Sequence, residues 1–170
     1  MMRLVSILLT LFISLSGPVM GKFSDFGCWN NAANSADNIV IDAYGTLSKN
    51  SNIPGQAHHL NQTAAFHDVI PKSAGQSIKL EGNILTDAGA PHTMAHQSLE
   101  GFWNGFRGTA TVPTNLQYTS ALQQSLRAAG LSEAQIQQAP RSSIRERLQH
   151  GLLGGMELPR VPGPIRNLAE

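Results

Sequence analysis

Cysteine is nearly missing from this chain of 170 residues, and the one present, Cys28, excludes both an internal disulfide and a zinc cluster of the cysteine type. Any metal ligands have to be histidines or carboxylates. Aromatic residues are scarce at 6%, whereas Gly, Pro, Asn and Gln are frequent. That texture suits a loop-rich α+β domain better than a tight helical bundle. A dominant charge is lacking too: 12 Lys and Arg face 11 Asp and Glu, so no global field announces nucleic acid, and any such case has to come from local features. The length allows one domain with a real core and is short for two.

No apolar run is long enough to span a bilayer as a helix. The longest, Leu4 to Leu15 behind Arg3, is followed by Gly17-Pro18, which breaks any helical extension. This is the pattern of a secretory signal peptide over residues 1–21, cleaved after Gly21 with Val19 as the small residue two positions before it. The expectation is a secreted protein with no stable membrane anchor after cleavage.

Residues 22–54 are rich in Asn and Ser around a short apolar stretch, Ile39-Val40-Ile41, and read as a leader segment with one possible strand. From residue 55 to 170 the sequence reads as the functional domain. Ser77 to Glu81 alternates as a half-buried strand does and ends at the turn pair Gly82-Asn83. A short extended segment around 57–60 is its expected hairpin partner. Gly89-Ala90-Pro91 opens a helix from about His92 to Phe106, because proline is tolerated at the first helical position. Capping-box patterns, Thr114 to Gln117 and Ser132 to Glu133-Ala134-Gln135, start two more helices. The first should end near Gly130, and Pro140 should interrupt the second, with a further piece over Ser142 to His150.

Five of the six histidines fall between positions 58 and 96, which marks where chemistry is to be sought. His58 and His59 are adjacent on an extended segment, so their side chains diverge; one can hold a metal while the other reaches past it. His92 and His96 are four apart on the expected helix, which puts both rings on one face. Together they supply three neutral nitrogen ligands and one spare imidazole, the set that a catalytic divalent ion with an open position requires. A zinc protease would need Glu directly after the first helical histidine, and here Thr93 follows His92. His67 beside Asp68 and the basic-region His150 read as surface groups. Trp103, Leu99, Phe102 and Phe106 read as core, and Glu100 as a group behind a ligand histidine.

The stretch His58-His59-Leu60-Asn61-Gln62-Thr63, with Leu80-Glu81-Gly82-Asn83, Gly89-Ala90-Pro91-His92, His96-Gln97-Ser98-Leu99-Glu100-Gly101-Phe102-Trp103 and the closing Pro159-Arg160-Val161-Pro162-Gly163, resembles the HNH/endonuclease VII-like nuclease toxins of bacterial polymorphic toxin systems, in particular the group with a Ser-His-His signature. Ala57 stands where that signature has Ser. The resemblance covers about 55–167. It implies a ββα-metal core, a hairpin and a helix clasping one divalent ion (Zn, Mg, Mn or Ni), with additional C-terminal helices. It further implies that His58, His92 and His96 bind the metal, that His59 is the general base, and that Asn83, ahead of Asn61, is the polarising Asn. A cognate immunity protein is the partner such toxins imply.

The expected activity is therefore metal-dependent endonuclease cleavage of nucleic acid, DNA ahead of RNA, with Arg141, Arg145 and Arg147 of the basic C-terminal region, joined by Arg160 and Arg166, contacting phosphates. The rival reading is a secreted binding protein whose four histidines sequester metal without turnover. Under it His59 matters to metal affinity as much as His58 does.

Overall fold

The computed structural model describes residues 38–169. The apolar run, the cleavage point after Gly21 and Cys28 lie outside the described residues. Within them the fold is α+β: a small antiparallel sheet with helices packed beside it. In chain order the elements are β1 (Asp42–Ala43), α1 (Tyr44–Leu47), β2 (Gln56–His59), α2 (Thr63–Phe66), β3 (Gln76–Leu80), α3 (Pro91–Asn104), α4 (Asn115–Ala128) and α5 (Glu133–Gln149). The sheet order is β1-β3-β2. No helix among the described residues is long and apolar enough to cross a membrane.

The expected strand pair is present: β2 runs antiparallel to β3, with His58 opposite Ile78 and His59 opposite Ser77. Their connection is not a tight turn, because α2 is inserted in it. The sheet also begins earlier than the sequence suggested. Asp42 and Ala43 pair with Ser77 and Gln76, the Tyr44 and Gly45 amides donate to the Gly75 and Ser73 carbonyls, and Leu47 is buried. Residues 42–47 are thus part of the domain and not a leader. Two paired residues are too few to show a strand period in the sequence.

The core lies between the sheet and α3–α5. Trp103, Tyr118, Phe66, Leu99, Leu122, Leu126 and Ile136 are fully enclosed there, with Leu60 and Ile78 contributed by the sheet side. Trp103 packs in this core, as expected, and its Nε1 donates to Gln62 Oε1 at 2.6 Å. Both capping boxes form, at Thr114 and at Ser132. Pro140 does not interrupt the helix it sits in; α5 continues through it to Gln149. An interior proline costs about 3 kcal/mol through its missing N–H and its ring clash. The burial of Ala139, Pro140 and Ser143, and the polar contacts of the turns that follow, offset that loss.

Those contacts tie α5 to the start of the site. Asn61 Nδ2 donates to Glu146 Oε2 at 2.8 Å and to the Ser143 carbonyl at 3.1 Å, while Asn61 Oδ1 accepts from Ser143 Oγ at 2.7 Å. Glu146 Oε1 accepts the Gln76 amide at 2.9 Å. Substituting Asn61→Ala leaves a buried carboxylate and a buried hydroxyl each short of a partner, at about 1–3 kcal/mol. We expect that loss in the urea midpoint with an unchanged slope of the transition, and a change below about 0.5 kcal/mol for the exposed control Gln137→Ala.

Candidate active site

Strand alternation separates the two adjacent histidines. His58 shares a face with Ile78 and Leu80 and turns into the protein, where it is 2% exposed. His59 lies on the other face, with Lys79 and Ser77, and its half-buried ring reaches the cleft described below. The turn after β3 needs Gly82: its φ is +91°, and a Cβ there would come within 2.2 Å of the Ala90 side chain. This close approach seats the start of α3 against the end of β3, and the His92 amide donates to the Glu81 carbonyl. His92 and His96, one turn apart on α3, are thereby aimed at His58.

The ligand atoms of His58, His92 and His96 lie within 4.8 Å of one another, close enough to hold one metal ion. His96 Nε2 and His92 Nε2 are 3.2 Å apart. Around a tetrahedral ion with metal–nitrogen bonds of about 2.0–2.1 Å, neighbouring ligand atoms stand roughly 3.3–3.4 Å apart, so the helical pair is already at ligand spacing. His92 Nδ1 sits 3.3 Å from the Gly82 carbonyl. A carbonyl only accepts, so Nδ1 carries the hydrogen and Nε2 presents its lone pair to the site. Both ring nitrogens of His58 and Nδ1 of His96 are buried without a hydrogen-bond partner. Orphaned groups of this kind are costly unless something else occupies them, and a metal ion facing the His58 lone pair is the occupant that this donor set fits. Three neutral imidazoles suit Zn or Ni better than Mg, which prefers oxygen ligands.

Burial keeps these rings neutral. Desolvation, then the neighbouring His96 and His92, holds His58 well below 6.5. Desolvation and His92 bring His96 down to about 4, and desolvation also lowers His92 despite its bond to Gly82. At neutral pH their lone pairs are free of proton competition.

His59 is built differently. Its Nε2 lies 2.9 Å from the Lys72 carbonyl, so Nε2 must carry the hydrogen in the neutral ring and Nδ1 is left as the acceptor. Among the described residues Nδ1 has no partner. Desolvation lowers the His59 pKa as its first cause, which keeps the ring unprotonated at neutral pH.

A cleft of about 780 Å³ joins the groups. His58, His59, His92 and His96 line it, together with Tyr44, Lys72 and Lys79, and among the described residues no carboxylate does. Among the described residues neither lysine makes an ion pair; Lys79 Nζ donates to the Gly55 carbonyl at 2.9 Å. Sequence reasoning passed over Tyr44, Lys72 and Lys79. They belong to a segment read as leader, to a loop and to the outward face of a strand, and no spacing links them before the chain is folded.

The other expected residues fall elsewhere. Asn83 lies in the loop before α3, where Oδ1 accepts from the Leu85 amide at 2.9 Å, and it does not line the cleft. Asn61 is committed to α5 as described. Arg147 is not a surface group: it is 2% exposed, donating to the Asn115 carbonyl at 2.6 Å and to Thr119 Oγ1, with its guanidinium over the Tyr118 ring. A long side chain on the inward face of α5 serves as a core cation, so phosphate contact by Arg147 is excluded. Arg141 and Arg145 are exposed on α5 but are not among the cleft-lining residues. Glu100 pairs with Arg107 at 2.8 Å and accepts the Ile165 amide instead of supporting a histidine. Arg160 pairs with Asp68 at 2.7 Å.

No family model matches the chain, and no significant match to it is found among curated proteins or solved structures.

Metal binding is directly measurable as stabilisation. With Zn at a hundredfold excess over its Kd, the folded chain should gain about 2.7 kcal/mol, read as a rise in melting temperature of several degrees over the chelator-treated protein. His96→Ala should abolish the rise and His59→Ala should keep it. A full rise in His96→Ala would place the ion elsewhere.

Proposed function

We propose that this chain is a metal-dependent phosphodiesterase that cuts nucleic acid, with the β2–β3–α3 unit serving as a ββα-metal site. One observation carries the reading: the three-nitrogen cluster and a fourth imidazole, whose Nδ1 has no partner among the described residues, line the same cleft, and among the described residues lysines line it and no carboxylate does. A carboxylate-free wall with two unpaired ammonium groups favours a polyanion over a neutral or cationic substrate.

The chemistry follows from the positions of the groups. His59 Nδ1 takes a proton from a water in the cleft as the water oxygen attacks phosphorus; the new P–O bond forms as the bond to the leaving ester oxygen breaks, and that oxygen is protonated from solvent. Lys72 and Lys79 hold the flanking phosphates. His58, His92 and His96 would hold a divalent ion, which would supply electrostatic stabilisation of the charge developing on the phosphate. Because all three side chains are neutral, no ligand charge would offset that of the ion. Export by the N-terminal signal and neutralisation by an immunity protein are part of the same reading.

The sequestration alternative gains nothing from the geometry. It needs His59 as a fourth ligand, and His59 is instead bonded to the Lys72 carbonyl and lies outside the cluster of ligand atoms.

The test is cleavage of plasmid DNA and of total RNA by the purified chain with Zn, Ni, Mn or Mg added or chelated. We expect metal-dependent cutting that falls about 10²–10⁴-fold in His59→Ala, with calorimetric metal affinity retained, and loss of both cutting and binding in His92→Ala. Tight metal binding with neither polymer cut would end the nuclease reading.

A further inference from the structure

His59 is held on three sides, and only one of these holds is a hydrogen bond. The Tyr44 ring stacks on it, with centroids 4.2 Å apart and planes inclined by 14°. Its Nε2 is held by the Lys72 carbonyl. Its Cδ2 edge lies against Gly75, where a Cβ would stand 3.0 Å away; that is tighter than ordinary contact, so any side chain at 75 would push the ring. The Lys72 ammonium in turn sits 5.5 Å from the centre of the Tyr44 ring, so a single lysine engages both members of the stack, through its carbonyl on one and its charge on the other.

A hydrogen bond to one carbonyl fixes the tautomer but leaves the imidazole free to swing about that contact. The remaining freedom is removed by a flat group against its face. Tyr44 is well placed to be that group: its backbone N–H donates a hydrogen bond to the Gly75 carbonyl at 2.9 Å, so ring, carbonyl and glycine edge share one local frame. Its hydroxyl makes no hydrogen bond among the described residues, and the ring, half-exposed on the cleft wall, contributes little to the core.

We infer that Tyr44 is the positioning residue of the site, holding the His59 ring by face-to-face stacking so that Nδ1, and not Nε2, is presented to the cleft. The kinetic consequence rests on the nuclease reading; the conformational one does not. A base turned away from its water by about 1 Å can lose on the order of 10²-fold in rate. Substrate grip by Lys72 and Lys79 does not depend on the plane of His59.

The experiment combines long-range ¹H–¹⁵N spectra of the histidine rings in the full chain, assigned against His59→Asn, with steady-state cleavage. The wild type and Tyr44→Phe should both show His59 as the Nε2–H tautomer. Tyr44→Ala, and Tyr44→Leu should the alanine variant not fold, should show a mixture of tautomers or an averaged ring. Gly75→Ala should displace the same signals from the opposite side. In cleavage, kcat should fall about tenfold to a hundredfold in Tyr44→Ala, a larger effect than any change in KM through the Lys72 contact, with metal-induced stabilisation unchanged and with recovery in Tyr44→Phe. Unchanged His59 signals in both Tyr44→Ala and Tyr44→Leu would overturn the inference, as would altered signals with wild-type kcat. If the wild type cuts nothing, the functional reading fails on its own, and the ring signals still decide whether Tyr44 sets the orientation of His59.

Discussion

The register of β2 against β3 is the constraint on which the site depends. With His58 opposite Ile78 and His59 opposite Ser77, one imidazole goes inward to meet α3 and the other goes to the face that α1 covers. A slip by one residue would exchange them. His59 would then face the helical pair without an acceptor for its other nitrogen, and His58 would lose its enclosure. Two identical residue types acquire different chemistry from the period of the strand alone. Desolvation and the neighbouring rings keep the His58 ring unprotonated, while the carbonyl of Lys72 fixes the His59 tautomer and leaves Nδ1 as its acceptor.

That register is protected by groups with no direct part in the chemistry. β2 is an edge strand, and edge strands are the elements most prone to slide. Immediately after it, Asn61 is clamped by Ser143 and Glu146 of α5, and the same Glu146 receives the amide of Gln76 at the start of β3. One carboxylate thus locks the exit of β2 and the entry of β3 to a common support. Tyr118 adds a second clamp, accepting the Gln62 amide and donating to the Leu60 carbonyl. A buried polar network with every member satisfied specifies one arrangement where an apolar contact would tolerate several.

The histidine cluster was legible in the sequence because its members obey local periods: adjacency on a strand and a spacing of four on a helix. The three long helices were legible for the same reason, from their caps and from proline at a helix start. What stayed hidden was of two kinds. Tyr44 and Lys72 reach His59 through β1–β3 pairing and a loop carbonyl, contacts with no sequence period at all. Asn61 and Arg147 have residue types common in sites, yet their burial follows from which face of α5 packs inward, and that depends on Ser143 and Glu146 as much as on themselves. The continuity of α5 past Pro140 belongs with these. A local rule against proline was outweighed by tertiary contacts formed several residues later.

Among the described residues no acidic side chain lines the cleft, and on the nuclease reading this bears on how a small, nearly neutral protein would bind a polyanion. Across the whole chain the charges nearly cancel, so attraction cannot come from the net field. It would have to be local: Glu100 is paired with Arg107 and Asp68 with Arg160, while Glu146 is enclosed under α5. Among the described residues Lys72 and Lys79 are the cleft charges without an ion-pair partner. Neutral histidines extend the same logic inward, because an ion held by His58, His92 and His96 would keep its full charge. On that reading the exposed arginines of α5, prominent in the sequence, say less about a substrate than the two lysines, which line the cleft where the arginines do not.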